Sequence, residues 1–186
     1  MYCVKIPLTT EDTIKKSRFI GILIPCQTEN EAIQHLHQLQ QQYPDASHLV
    51  FAYRIKSEKG IVTRFHDAGE PSGTAGKPVF QHLAGKDLIN ILCVVVRYFG
   101  GVKLGAGGLT RAYGNSAKKV IEASTISKYI EYAECKIKLE YKDLQNFEYQ
   151  LKKLDGVITQ QDFSENINLI IKIPEENIDK LAQVIK

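Results

Sequence analysis

A chain of 186 residues with 44% hydrophobic and 24% charged side chains, net charge +3 and mean hydropathy −0.20 has the composition of a globular protein with enough residues for two cores. No apolar run approaches the roughly 20 residues of a bilayer-spanning helix, and MYCVKIPLTTEDT has no signal-peptide core, so a cytoplasmic protein is expected. Cys3, Cys26, Cys93 and Cys135 lack CxxC or Cys/His spacing, which argues against a zinc site and for reduced thiols.

In chain order, SRFIGILI (17–24) predicts a strand behind the basic pair Lys15-Lys16, closed by Pro25. Thr28 and Glu31 form a capping box in which each side chain would satisfy the other's backbone N–H. The helix that follows places Ala32, Ile33, Leu36, Leu39 and Tyr43 at helical spacing and ends at Pro44. His35 and His37 lie two apart on it and face different ways, so they cannot share a metal. Strands over 47–55 and 61–65 flank Ser57-Glu58-Lys59-Gly60, a hairpin signal. A short helix is expected over 77–85, with Pro78 in its first turn and Gly85 as the C-terminal cap.

INILCVVVRYF (89–99) is a continuous β-branched run without alternation, which predicts the central strand of the main sheet, buried on both faces, with Cys93 in the core. The loop 100–108 follows, and then a helix with Leu109, Ala112, Tyr113, Ala117, Val120 and Ile121 on one face. A boundary is expected near 124–128, giving domains 1–126 and 127–186. The second reads strand 132–141, helix 143–154, strand 157–163, strand 167–173 and helix 175–185. That βαββα order fits a ferredoxin-like sandwich without its last strand, and the fold class is α/β (α+β).

Charge and glycine are both concentrated. Residues 1–126 carry 15 basic and 10 acidic side chains against 9 and 11 in 127–186, so a polyanion would meet the first domain. Ten of the thirteen glycines lie between Arg64 and Ser116, and such density marks tight turns or close approach of backbone to a ligand. Strand, glycine loop and helix in that order suit an anion site, in which helix N-terminal amides hold a phosphate and Lys103 and Arg111 supply charge. The competing reading is that the glycines only permit a tight crossover, since GxxxxGK[ST] has no match and Thr110 breaks the GxGxxG register. His66, Asp67 and Glu70 could form an acid–base set. The structural account is preferred: Asp67 and Ser72 cap the next turn, and Glu70 pairs with Arg97 or Arg111. Phe99 and Tyr113 are expected in the core, with Tyr98 left open.

HDAGEPSGTAGKPVFQHLAG followed by VVVRYFGGVKLGAGGLTRAYG resembles the signature of the YigZ/IMPACT family over residues 16–122, and the remainder has the pattern of the smaller domain of bacterial members. The resemblance implies a first domain like the second domain of ribosomal protein S5. It also implies a ferredoxin-like second domain similar to one in the translocation elongation factor, and a link to control of translation. Two departures limit what carries over. Ala68 stands where the family has a second aspartate, which removes a paired-aspartate metal site, and Val50 and Phe51 replace a Cys-Trp pair between His48 and Ala52-Tyr53.

The leading expectation is therefore a non-enzymatic module that binds RNA, the ribosome or a translation-associated protein. Its basic glycine-rich face would consist of Lys77, Arg97, Lys103, Gly105, Gly107, Gly108, Thr110, Arg111 and Lys118, with no cofactor and no metal. An enzyme acting on a phosphorylated small molecule, with the glycine loop as phosphate cradle, and a protein-interaction domain are the alternatives.

Overall fold

The computed structural model describes residues 1–184 and divides into two compact units, Met1–Tyr129 and the chain from Ile130 onward. The first unit runs β1 (Tyr2–Val4), β2 (Leu8–Ile14), β3 (Ser17–Pro25), α1 (Glu29–Gln42), β4 (His48–Ser57), β5 (Gly60–His66), α2 (Gly76–Gly85), β6 (Ile91–Tyr98), α3 (Gly105–Ala123) and β7 (Ile126–Lys128). Five of its strands form an antiparallel sheet in the order β2-β3-β6-β4-β5.

β6 occupies the centre of that sheet, and its side chains explain the unbroken apolar run. Ile91, Cys93 and Val95 point into one core with Val79 and Leu83 of α2 and Leu109, Tyr113 and Val120 of α3. Leu92, Val94 and Val96 point into the other with Ala32, Leu36 and Leu39 of α1. Six consecutive side chains thus lie at 0% exposure, and each of the aliphatic ones contributes roughly 1.5–3 kcal/mol of burial free energy. One ordered strand therefore organises two cores.

Several local expectations are corrected. β1, β2 and β7 had no sequence signal. β2 and β3 are joined by Lys15 (φ 45°) and Lys16 (φ 66°), both left-handed, a turn that normally selects Asn-Gly. At the start of α1, Thr28 Oγ1 accepts from Glu31 N (3.1 Å), but the Glu31 carboxylate accepts from Gln27 N (2.7 Å), one residue earlier than a reciprocal box requires. Gly85 is the last residue of α2, not its cap. The left-handed residue that turns the chain is Asp87 (φ 47°). β7 pairs with β1 (Tyr2↔Lys128), which keeps residues 127–129 with the first unit instead of ending it at 126.

The second unit comprises β8 (Tyr132–Leu139), α4 (Leu144–Lys153), β9 (Val157–Phe163), β10 (Ile167–Pro174) and α5 (Ile178–Val184). Its antiparallel sheet has the order β8-β10-β9. Ile167, Leu169, Ile171 and Ile173 alternate inward from β10 onto Phe147, Leu151 and Leu181. Glu175–Asn177 forms a 3₁₀ turn, so the last helix starts later than expected, and its expected end at 185 lies outside the described residues. No helix among the described residues is long and apolar enough to cross a membrane.

Candidate ligand-binding cleft

The glycine-rich segment after β5 is held by one carboxylate. Asp67 Oδ1 accepts from Ala75 N (3.1 Å) and Gly76 N (2.8 Å), and Oδ2 accepts from Gly73 N (2.9 Å). Ala75 at the helix boundary has no capping side chain, so Asp67 closes the N-terminus of α2 from eight residues away. Burial acts to raise the Asp67 pKa, but the N–H groups of Gly73, Gly76 and Ala75, aided by His66, outweigh it and hold the carboxyl below its ordinary range. Gly76 has to be glycine, because a Cβ there would lie 2.7 Å from His66 N. Thr74, not Ser72, supplies the neighbouring contact, its hydroxyl donating to the Pro71 carbonyl (2.6 Å).

Glu70 points inward to a buried polar cluster. Its Oε1 accepts from Arg97 Nη1 and Tyr113 Oη, both at 2.6 Å, and Arg97 and Glu70 are 4% and 9% exposed. Arg97 Nη2 donates to Ser17 Oγ (3.3 Å), which also accepts from Gly100 N (3.2 Å). The guanidinium lies 5.5 Å from the ring centroids of both Phe19 and Phe99, within cation–π range, and its Nε has no hydrogen-bond partner among the described residues. Burial pushes the Tyr113 hydroxyl pKa well above its usual value, reinforced by the bond to Glu70, so it stays a donor. His48 Nδ1 donates to the Ala68 carbonyl (2.9 Å), which turns Nε2 toward Glu70 Oε1 at 3.7 Å.

Above this floor opens a cleft of about 340 Å³ lined by His48, Glu70, Pro71, Arg97, Phe99, Lys103, Leu104, Gly105, Ala106 and Leu109. The loop that rims it turns at Gly101 (φ 83°) and Gly105 (φ 73°) and delivers the chain into α3, whose boundary residue Leu104 makes no side-chain cap. No acidic residue stands in that helix's first turn, and Gly105 and Ala106 at its N-terminus line the cleft, whose carboxylate, Glu70, is engaged by Arg97 and Tyr113.

The expected site residues divide. Arg97, Lys103 and Gly105 meet in the cleft together with Glu70. Arg97 is engaged by Glu70 and forms the floor instead of reaching solvent. Lys103 is exposed at the rim with no ion pair among the described residues. Gly107, Thr110 and Arg111 are exposed on α3 beyond the cleft, with the Thr110 hydroxyl donating to the Ala106 carbonyl (3.0 Å). Gly108 packs under Leu104, whose Cβ would lie 3.1 Å from an added methyl. Lys118 sits 3.8 Å from Glu122 on the same helix, and Lys77 is exposed on α2. Among the weak catalytic candidates, His66 lies outside this cleft, its Nδ1 accepting from Ala68 N (3.0 Å). Phe99, expected in the core, is 48% exposed, because β6 ends at Tyr98 and the alternation stops with it. His48, Leu104 and Leu109 escaped the sequence reading as site residues. Only His48 had a signal, its place in the His-x-x-x-Ala-Tyr stretch at the start of β4.

Residues 15–121 match the model of the Impact N-terminal domain, and residues 137–185 match a domain of unknown function, DUF1949. The chain is 36% identical over 173 residues to an IMPACT family member of Haemophilus influenzae, covering 92% of this chain and 84% of the relative. It is 34% identical over 177 residues to the IMPACT family member YigZ of Escherichia coli, covering 95% and 87%. A solved structure described as that of a hypothetical protein superimposes with a TM-score of 0.71 at 32% identity, covering 98% of this chain and 89% of that one.

Proposed function

The chain belongs to the IMPACT family, and from that premise and the cleft we propose that it is a non-enzymatic, translation-related regulator that binds single-stranded RNA at the N-terminus of α3. One observation carries the reading: an open cleft joins an uncapped helix N-terminus, the unpaired Lys103 and the half-exposed ring of Phe99. A phosphate suits the amides and the ammonium group, and a base suits the ring face. The floor adds shape without net charge, because Glu70 and Arg97 neutralise each other. The acid–base alternative has less support, since Glu70 Oε1 already accepts two hydrogen bonds and Asp67 three backbone amides.

Fluorescence anisotropy of a labelled oligouridylate against salt tests the proposal. Binding should weaken as salt rises, and Lys103→Ala should lower the log–log slope by about 0.7, the value of one single-strand phosphate contact. Absence of binding at low salt, or a slope unchanged in a folded Lys103→Ala protein, would refute it. Exposed Phe99 (48%) and Val102 (40%) on one loop also suit a protein partner, and salt-insensitive capture of a translation factor would favour that reading.

A further inference from the structure

A second cleft of about 470 Å³ opens on the α1 side of the sheet, between α1 and the end of the edge strand β5. Its lining includes Gln40, Ser47, Phe51, Arg64 and His66, and it shares His48 with the first cleft. Beside it, Phe99 N at the rim of the first donates to Ser47 Oγ in the lining of the second (2.9 Å). His48, at the start of β4, therefore lines both clefts.

The second opening repeats the chemistry of the first. His66 is stacked on Phe51, with ring centroids 5.7 Å apart and planes 20° apart, and its orientation is fixed by the bond from Ala68 N to Nδ1 (3.0 Å). The imidazole is exposed, so a fixed flat surface faces solvent. Arg64, two residues earlier on the same face of β5, is exposed and has no ion pair among the described residues. Ring and cation thus stand together on each side of His48: Phe99 with Lys103, and His66 with Arg64. Among the described residues, the second cleft has no carboxylate in its lining, and Glu70 of the first is bound to Arg97 and Tyr113, so the charge offered by Lys103 and Arg64 is positive.

Resting on the RNA reading above, we propose that His66, Phe51 and Arg64 form a second nucleotide subsite, and that the two clefts act as one groove that seats adjacent nucleotides of a single strand on either side of His48. One base stacks on Phe99 and the other on His66. Lys103 and Arg64 take the flanking phosphates, and the sugar-phosphate link passes over His48, whose ring is held by the Ala68 carbonyl. Stacking reads any base, so the groove selects single strands without demanding sequence.

Anisotropy with labelled oligouridylates of two and eight nucleotides, alongside polyphosphate as a ring-free polyanion, tests this. His66→Ala and Phe99→Ala should each weaken the octamer by about 5- to 140-fold, the range of one lost base stack. Arg64→Ala should reduce the salt slope by about 0.7, and polyphosphate should be indifferent to both ring substitutions. If Phe99→Ala and Lys103→Ala weaken RNA while folded His66→Ala and Arg64→Ala do not, the second subsite is refuted and the first stands. If wild-type protein binds no oligouridylate, both fall. Equal loss of polyphosphate and RNA on ring removal would refute stacking. All four side chains lie at solvent, and unchanged thermal unfolding of each variant confirms that affinity, not folding, is being read.

Discussion

Removing the Glu70 carboxylate should be the most damaging single truncation in the first unit. In Glu70→Ala, Arg97 Nη1 and Tyr113 Oη each lose a 2.6 Å acceptor, and a guanidinium 4% exposed is left without its counter-charge. Breaking a buried ion pair from one side costs about 3–5 kcal/mol. At about 2–4 °C per kcal/mol for a chain of this length, the melting temperature should fall by about 6–20 °C. Adding Arg97→Met removes the stranded charge and leaves an apolar stem between Phe19 and Phe99, so the double variant should recover at least about 2 kcal/mol over Glu70→Ala alone. Urea unfolding followed by tyrosine fluorescence, the chain having no tryptophan, reads all three proteins. A cost below about 1 kcal/mol for Glu70→Ala, or a double variant no more stable than the single, would refute the view of the pair as the internal brace of the cleft.

Asp67 has a native pKa below its unfolded value, so the stability it contributes is complete above the unfolded carboxylate range near pH 4 and is lost as pH falls through the native value. Acid titration of Asp67→Asn should accordingly show a flatter acid limb, with about 1–2 kcal/mol lost at neutral pH. Replacing Lys15-Lys16 by Asn-Gly should stabilise by about 1–2 kcal/mol in the same urea assay, since both positions are left-handed. Gly100→Ala should destabilise by about 3 kcal/mol or prevent folding, because its Cβ would land on the Lys16 carbonyl. Cys93, fully buried and with its thiol pKa pushed up to about 12 by burial, should resist iodoacetamide in the native protein while half-buried Cys3 and Cys135 react first by mass spectrometry.

What the sequence made legible follows from where one physical signal dominates. β6 was readable because burial on both faces leaves no alternation to misread, and α1 because Thr28 and Glu31 mark its start before a regular apolar stripe. β2 was not, because LTTEDTI is largely exposed on an edge strand and its turn uses two lysines where glycine or asparagine would announce it. The short pair β1 and β7 depends on a contact between the two ends of the unit, which no local pattern encodes. For the site, the segment was visible but its geometry was not. Glycine density located the loop, while the choice of Glu70 as the partner of Arg97, and the outward turn of Phe99, depend on the register of β3, β4 and β6.

That register separates two roles that a list of basic residues runs together. Arg97 is paired across the sheet with Phe19 on one side and His48 on the other, so its guanidinium is carried to the inner face where Glu70 and Tyr113 wait, and it works as part of the core. Phe99 and Lys103 lie past the end of β6, where no neighbouring strand constrains them, and they work at the surface. Substitutions at Glu70, Arg97 and Tyr113 should therefore act first on stability, whereas those at Phe99, Lys103, Arg64 and His66 should change binding at wild-type stability. The two groups are in contact, since Phe99 packs against the Arg97 guanidinium. Ligand bound on the outer face of that ring should then protect the β6 amides from hydrogen exchange by holding the Arg97–Glu70 pair in place.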